Sequence, residues 1–138
     1  MKRDPRLRSL SSDHHRALVM ARKMERASEA DRPDASALQA IEAFCRDELQ
    51  PHFVQEEEFL LPVLERHGEG MLVERTLREH ARMLELSERV DRSEALRELA
   101  TLLRQHVRFE EQELFEVAQA KLSDAELERI GEQANPAG

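Results

Sequence analysis

Apolar side chains return every three or four residues through four successive stretches of this chain, and each stretch ends in a turn signal. That period belongs to one face of an α-helix, not to the two-residue alternation of a half-buried strand. The first stretch places Ala17, Leu18, Ala21 and Met24 behind Leu10-Ser11-Ser12-Asp13, a staple residue followed by capping side chains, and predicts a helix over about Ser12 to Ser28. After a loop at Asp31 to Asp34, a second helix uses Leu38, Ile41, Phe44, Cys45, Leu49, Phe53, Phe59, Leu60, Val63 and Leu64. It should bend at Pro51 and stop at His67-Gly68. The third uses Leu72, Val73, Leu77, Met83, Leu84 and Val90; the fourth uses Leu96, Leu99, Leu102, Leu103, Phe109, Leu114, Phe115 and Val117. Ser123 and Glu126 spell a capping box that opens a short fifth helix, about 123–134. Short loops between four such helices predict an all-α, up-down-up-down four-helix bundle, one domain over 1–138 with its core at about 10–122.

Composition agrees and narrows the function. Charged residues are 36% of the chain, against about 25% in an ordinary domain, while Gly and Pro are scarce and Trp and Tyr are absent. Long solvated helices fit that balance, and an all-β fold does not. The net charge is −8 with the basic residues scattered among acids, so nucleic acid is not an expected partner. The longest apolar run, Phe59 to Leu64, falls far short of the roughly 18 residues of a membrane span. No apolar stretch follows Lys2 and Arg3, so no signal peptide or lipid anchor is expected, and a lone cysteine, Cys45, suits a reducing compartment. The expectation is a soluble, cytoplasmic protein.

An internal repeat adds approximate two-fold character. Asp13-His14-His15-Arg16-Ala17-Leu18 aligns without gaps on Glu79-His80-Ala81-Arg82-Met83-Leu84, 66 residues later. His52-Phe53-Val54-Gln55-Glu56-Glu57 aligns on His106-Val107-Arg108-Phe109-Glu110-Glu111, 54 residues later, and Leu60-Leu61-Pro62-Val63 falls on Leu114-Phe115-Glu116-Val117 at the same offset.

The repeat carries polar residues on apolar faces. His52 and Glu56, four apart, lie about 40° apart around a helix, in the stripe of Ile41, Cys45, Leu49, Phe59 and Val63. His106 and Glu110 do the same between Leu99, Leu103 and Val117, and His80 sits between Val73, Leu77 and Leu84. At about 1.5 Å rise per residue, His14 stands roughly 21 Å from the end of its helix and His52 roughly 24 Å from the start of the next. The other turns match similarly, so all six side chains meet at one level. A single histidine on an apolar face is ordinarily a hydrogen-bonded core residue. Four with two carboxylates at one height are a metal-site pattern, since unpaired buried carboxylates cost several kcal/mol; neutralising His–Glu pairs are the alternative. Nitrogen and oxygen donors with no thiolate, leaving positions open, suit a pair of non-haem iron ions best, manganese or zinc less well. No histidine has a glutamate three residues before it, which excludes the ferritin-like di-iron pattern.

The order His, HxxxE, His, HxxxE on four successive helices, with Asp-His-His-Arg-Ala-Leu, His-Phe-Val-Gln-Glu-Glu-Glu and Arg-Glu-His, resembles the hemerythrin-like, or HHE cation-binding, domain over about Leu10 to Leu122. The resemblance implies a centre of two iron ions, bridged by carboxylates and by solvent or oxide, that binds dioxygen or a related diatomic. Its ligands would be His14, His52, Glu56, His80, His106 and Glu110, with the two glutamates bridging. Oxygen-carrying members have two histidines four apart on the third helix, where this chain has Thr76 and Leu84 around His80. A fifth nitrogen would come from His15, which points about 100° away from His14. His67 reads as a helix C-cap and Cys45 as a buried apolar residue. Glu57 and Glu111 read as added oxygen ligands or as outer acids, and Asp13 and Glu79 as surface acids or hydrogen-bond partners of an outer imidazole nitrogen. A histidine-rich, carboxylate-poor set without Tyr or Trp favours reversible binding or sensing of dioxygen, nitric oxide or iron itself, or mild peroxide chemistry, over strong oxidation. An enzyme with catalase-like or nitric-oxide and iron–sulfur repair activity, and a metal-free or zinc-stabilised interaction module, are the competing readings.

Overall fold

The computed structural model describes residues 2–134, and among these the regular structure is entirely helical. A 3₁₀ turn at Pro5–Leu7 leads into α1 (Arg8–Glu29). A continuous helix over 35–66 forms α2, Gly70–Ser87 form α3, 93–121 form α4 and Asp124–Ala134 form α5. Cross-helix ion pairs fix the directions: Asp13 meets His52 while Arg16 meets Glu48, and Glu79 meets His106 while Arg82 meets Glu98. His14 likewise meets Glu111 while Glu25 meets Arg104. In each case rising numbers on one helix meet falling numbers on the other, which gives the up-down-up-down bundle.

The first helix starts earlier than its serines suggest. Asp4 caps the chain by accepting from the Arg6 N–H at 2.9 Å, and Pro5, whose missing N–H costs nothing in a first turn, follows it. Ser11, Ser12 and Asp13 therefore lie inside α1, and Ser11 and Asp13 turn toward other helices. At the end of α2, Gly68 adopts φ +84°, with the Glu69 N–H donating to the Leu64 carbonyl and the Gly68 N–H to Glu65. This αL cap is where a glycine is needed, and His67 is the residue before it. The capping box at Ser123 and Glu126 is formed in both directions.

Three wide turns change which residues face inward. The Gln50 N–H bonds Cys45, Leu61 bonds Glu56 and Phe115 bonds Glu110, each five residues back instead of four. Each is a π-type turn that takes one extra residue. Two of them end directly before Pro51 and Pro62, so the distortion expected at Pro51 is a widened turn within a continuous helix. Beyond the turns that begin at Glu56 and Glu110 the buried face moves on by one position. Of the apolar residues expected on these two faces, Leu60, Leu64, Leu114 and Phe115 are buried while Phe59, Val63 and Val117 are only half-buried, and Leu61 and Ala118 join the buried face instead. On α3 the inward face is Val73, Thr76, His80 and Met83, and Leu77 is 42% exposed. Thr76 tolerates full burial because its hydroxyl donates to the Leu72 carbonyl at 2.8 Å.

Two apolar clusters result. One gathers Met20, Met24, Ile41, Phe44, Phe53, Met83, Leu99 and Leu103. The other gathers Leu7, Leu10, Leu60, Leu64, Phe109, Leu114 and Phe115 with Leu127 and Ile130 of α5. The core thus reaches beyond the expected 10–122 at both ends. Gly131 packs against the chain at Arg6, where a Cβ would lie 3.1 Å from the Arg6 carbonyl oxygen. Between the clusters lies a layer of buried polar side chains.

Candidate metal centre

That layer consists of His14, His52, Glu56, His80, His106 and Glu110, all buried and all brought together as their spacing predicted. His14 comes from α1, His52 and Glu56 from α2, His80 from α3, and His106 and Glu110 from α4. The wide turns begin at the two glutamates, and their shared offset of 54 residues makes these turns part of the internal repeat.

Each imidazole is held the same way. Nδ1 faces an outer carboxylate on another helix: Glu111 for His14 at 2.6 Å, Asp13 for His52 at 2.9 Å, Glu57 for His80 at 2.7 Å and Glu79 for His106 at 2.7 Å. Nε2 is left facing the interior. It lies 2.7 Å from Glu110 in His14, 3.3 Å from Glu56 in His52, 3.0 Å from Glu56 in His80 and 3.1 Å from Glu110 in His106. Aromatic rings set the planes, with Phe115 stacked on His14 and Phe53 stacked on His80 at 3.8 Å between centroids. Asp13 and Glu79 do bind outer imidazole nitrogens, but each serves the histidine of the following helix and not its own neighbour. Glu57 and Glu111 are outer acids.

His15 is exposed and stands apart from the cluster. His67 pairs with Glu126 at 2.9 Å at the far end of α2, a C-cap as its sequence position suggested. Burial, helped by the charge of Glu42, pushes the Cys45 thiol up to about 12, so it stays protonated and unreactive near neutral pH. Arg3, Ser11 and Arg75 touch the outer acids and were not legible in the sequence: Arg3 and Ser11 reach Glu111 from about one hundred residues away.

Without a cation the cluster is electrostatically tense. Burial favours neutral imidazoles, yet the carboxylates overcome it. His14 and His80 are raised to about 9, mainly through Glu110 aided by Glu111 and Glu56 respectively, and His106 to about 10 through Glu110 and Glu79. His52 moves the same way, with Glu56 the strongest charge facing it. Burial would raise Glu110, but His106, His14 and His52 hold it well below the usual carboxylate range.

Ion pairing alone does not satisfy these groups. Nε2 of His52, His80 and His106, both oxygens of Glu56 and one of Glu110 are buried without an aligned hydrogen bond. Orphaned lone pairs at this density are what a coordinated cation would use. Two groups of four converge closely enough to hold an ion: His14, His52, Glu56 and Glu110, and His80, His106, Glu56 and Glu110. The chemistry of the donor set fits a metal cation.

Residues 6–118 match the family model described as the hemerythrin HHE cation binding domain. The chain belongs to that family. The hemerythrin HHE match covers most of the chain and all six inner residues, and it agrees with the helical bundle and the buried His/Glu cluster. No curated protein and no solved structure matches the chain. No helix among the described residues is long and apolar enough to cross a membrane.

Proposed function

We propose that this hemerythrin HHE domain holds two iron ions and binds dioxygen or a related diatomic, nitric oxide included, as a handling or sensing protein. The carrying observation is that both four-residue groups share Glu56 and Glu110, an arrangement in which two carboxylates would serve two cations with two imidazoles each. Nitrogen and oxygen donors without thiolate, at fewer than six per ion, favour iron and leave room for a small ligand. When bound, a ferrous pair supplies two electrons and vacant positions for a diatomic.

The chain's own residues do the rest. His14, His52, His80 and His106 present Nε2, and the outer acids fix that tautomer by accepting from Nδ1–H. Phe53, Phe109 and Phe115 pack against the imidazoles and wall the centre. A cleft of about 240 Å³ between α1 and α2 runs past Phe44, Leu49 and Phe53 to His14, His52 and His106. That cleft gives a small ligand a route from the surface to the inner histidines. Lack of Tyr and Trp removes the usual radical carriers, which favours binding over strong oxidation. The buried, unreactive Cys45 is compatible with a cytoplasmic location.

Cycling anaerobically reconstituted protein between air and argon tests the reading. Near-ultraviolet bands that appear in air and fade under argon are expected. Steady oxygen evolution from added peroxide, lost in Glu56→Ala and Glu110→Ala, would replace it with a catalase-like enzyme.

A further inference from the structure

The four outer carboxylates differ in what lies behind them. Glu111, which holds His14, accepts from Arg3 Nη2 at 3.2 Å, and the same nitrogen donates to the Glu111 carbonyl at 2.8 Å. Glu79, which holds His106, accepts from Arg75 Nε at 3.0 Å. Each guanidinium also lies over the phenylalanine beside the histidine concerned: Arg3 over Phe115 at 5.4 Å, with Phe115 stacked on His14, and Arg75 over Phe109 at 3.9 Å, with Phe109 against His106. Asp13 and Glu57 have no Lys or Arg within ion-pair distance among the described residues. Each ion position therefore has one histidine backed by a neutralised acid and one backed by a free acid.

The arginines arrive by unrelated routes. Arg75 lies within α3, whereas Arg3 comes from the segment before α1, which Gln119 pins by accepting from the Asp4 N–H and donating to the Lys2 carbonyl. The two-fold operation of the repeat would carry Glu111 onto Glu57 and Glu79 onto Asp13, so it relates neither arginine to the other. Arg3 is only 15% exposed and its Nε is buried without a hydrogen-bond partner. Its two Nη atoms are satisfied, one by Gln119 at 2.7 Å and the other by Glu111, so the guanidinium ties the segment before α1 to α4 and at the same time sets its charge on the acid that holds His14.

We propose that Arg3 and Arg75 are positioning residues that act through Glu111 and Glu79 to hold the reduction potential of the centre up. The proposal rests on the di-iron reading above. A carboxylate that accepts from imidazole N–H draws the ring toward imidazolate, a stronger donor that favours ferric over ferrous iron. A guanidinium on that carboxylate shares its charge and relaxes the pull. The ferrous state, the one that accepts a diatomic, is thereby favoured.

Arg3→Gln and Arg75→Gln, each loaded with iron, are titrated potentiometrically beside the wild type, with iron affinity measured in parallel. Each variant is expected to shift the ferric–ferrous equilibrium about tenfold toward ferric, about 59 mV lower for a one-electron couple. Affinity should hold or increase, and Arg3→Lys and Arg75→Lys should restore most of the potential. Unchanged potentials, or affinity lost equally in the Gln and Lys variants, would overturn the proposal. In the metal-free protein the Nδ1 proton resonance of His14 should move downfield in Arg3→Gln and that of His106 in Arg75→Gln, with His52 and His80 unmoved. Iron-free wild-type protein after reconstitution would remove the di-iron reading alone. The proton resonances would still decide whether the arginines act on the histidines, and no movement there would overturn that action.

Discussion

His14, His52, His80 and His106 each join an inward Nε2 to an outer Nδ1 held from another helix, and this double demand explains their conduct with pH. In the metal-free protein their folded pKa values stand above the ordinary 6.5. Their contribution to stability is therefore complete below about pH 6.5 and is lost as pH rises through about 9 to 10. Glu110, depressed, works in the opposite sense, and its share is lost as acid protonates it. The urea midpoint of the metal-free protein should fall between neutral pH and pH 10. A flat profile would show that the imidazoles do not enter the fold charged. Metal requires neutral imidazoles, so loading releases protons and strengthens with pH. Asp13→Asn or Glu57→Gln removes one anchoring acid and should weaken metal binding by about 10- to 100-fold, read by competition with a chelator. The inner six residues were legible in the sequence because helical spacing and height depend on local geometry alone. The pairings of Asp13 and Glu79 were not, since which neighbouring imidazole an acid reaches depends on how two helices pack.

Among the elements, α2 and α4 depart furthest from a regular α-helix, because a wide turn beginning at Glu56 and at Glu110 rephases everything after it. Leu60→Ala, a fully buried site, should cost roughly 2–5 kcal/mol, whereas Phe59→Ala, at a half-buried one, should cost clearly less. Denaturant midpoints would check this order, and the reverse order would restore an uninterrupted α-helical phase. The periodicity of the sequence could not give the answer, since Phe59 and Leu60 are adjacent and both apolar. Pro51 and Pro62 offered a partial signal in α2, and α4 offered none. Leu77 was misread on α3 for a related reason: a buried threonine that satisfies its own hydroxyl looks polar in sequence, so the apolar neighbour attracts the assignment. At the first helix, Ser11 and Asp13 looked like caps because capping and cross-helix hydrogen bonding use the same residue types, and Asp4-Pro5 was the actual start.

Across the whole molecule, two apolar clusters clamp a polar layer that neither could bury without compensation. The segment before α1 and the fifth helix close one cluster, with Leu7 against Leu127 and Ile130, which fixes Arg3 above Glu111. A cation that neutralises the layer binds the folded state alone and should raise its stability by about 4 kcal/mol at a thousandfold excess over Kd. Thermal melts with and without iron would read this as a rise in Tm that Glu110→Ala abolishes. Whether the shared glutamates serve two cations at once is read by elemental analysis of anaerobically purified protein from iron-supplied cells. About two irons per chain, lost together in Glu110→Ala, is the predicted result. One ion or none in folded, reconstituted wild-type protein would contradict it.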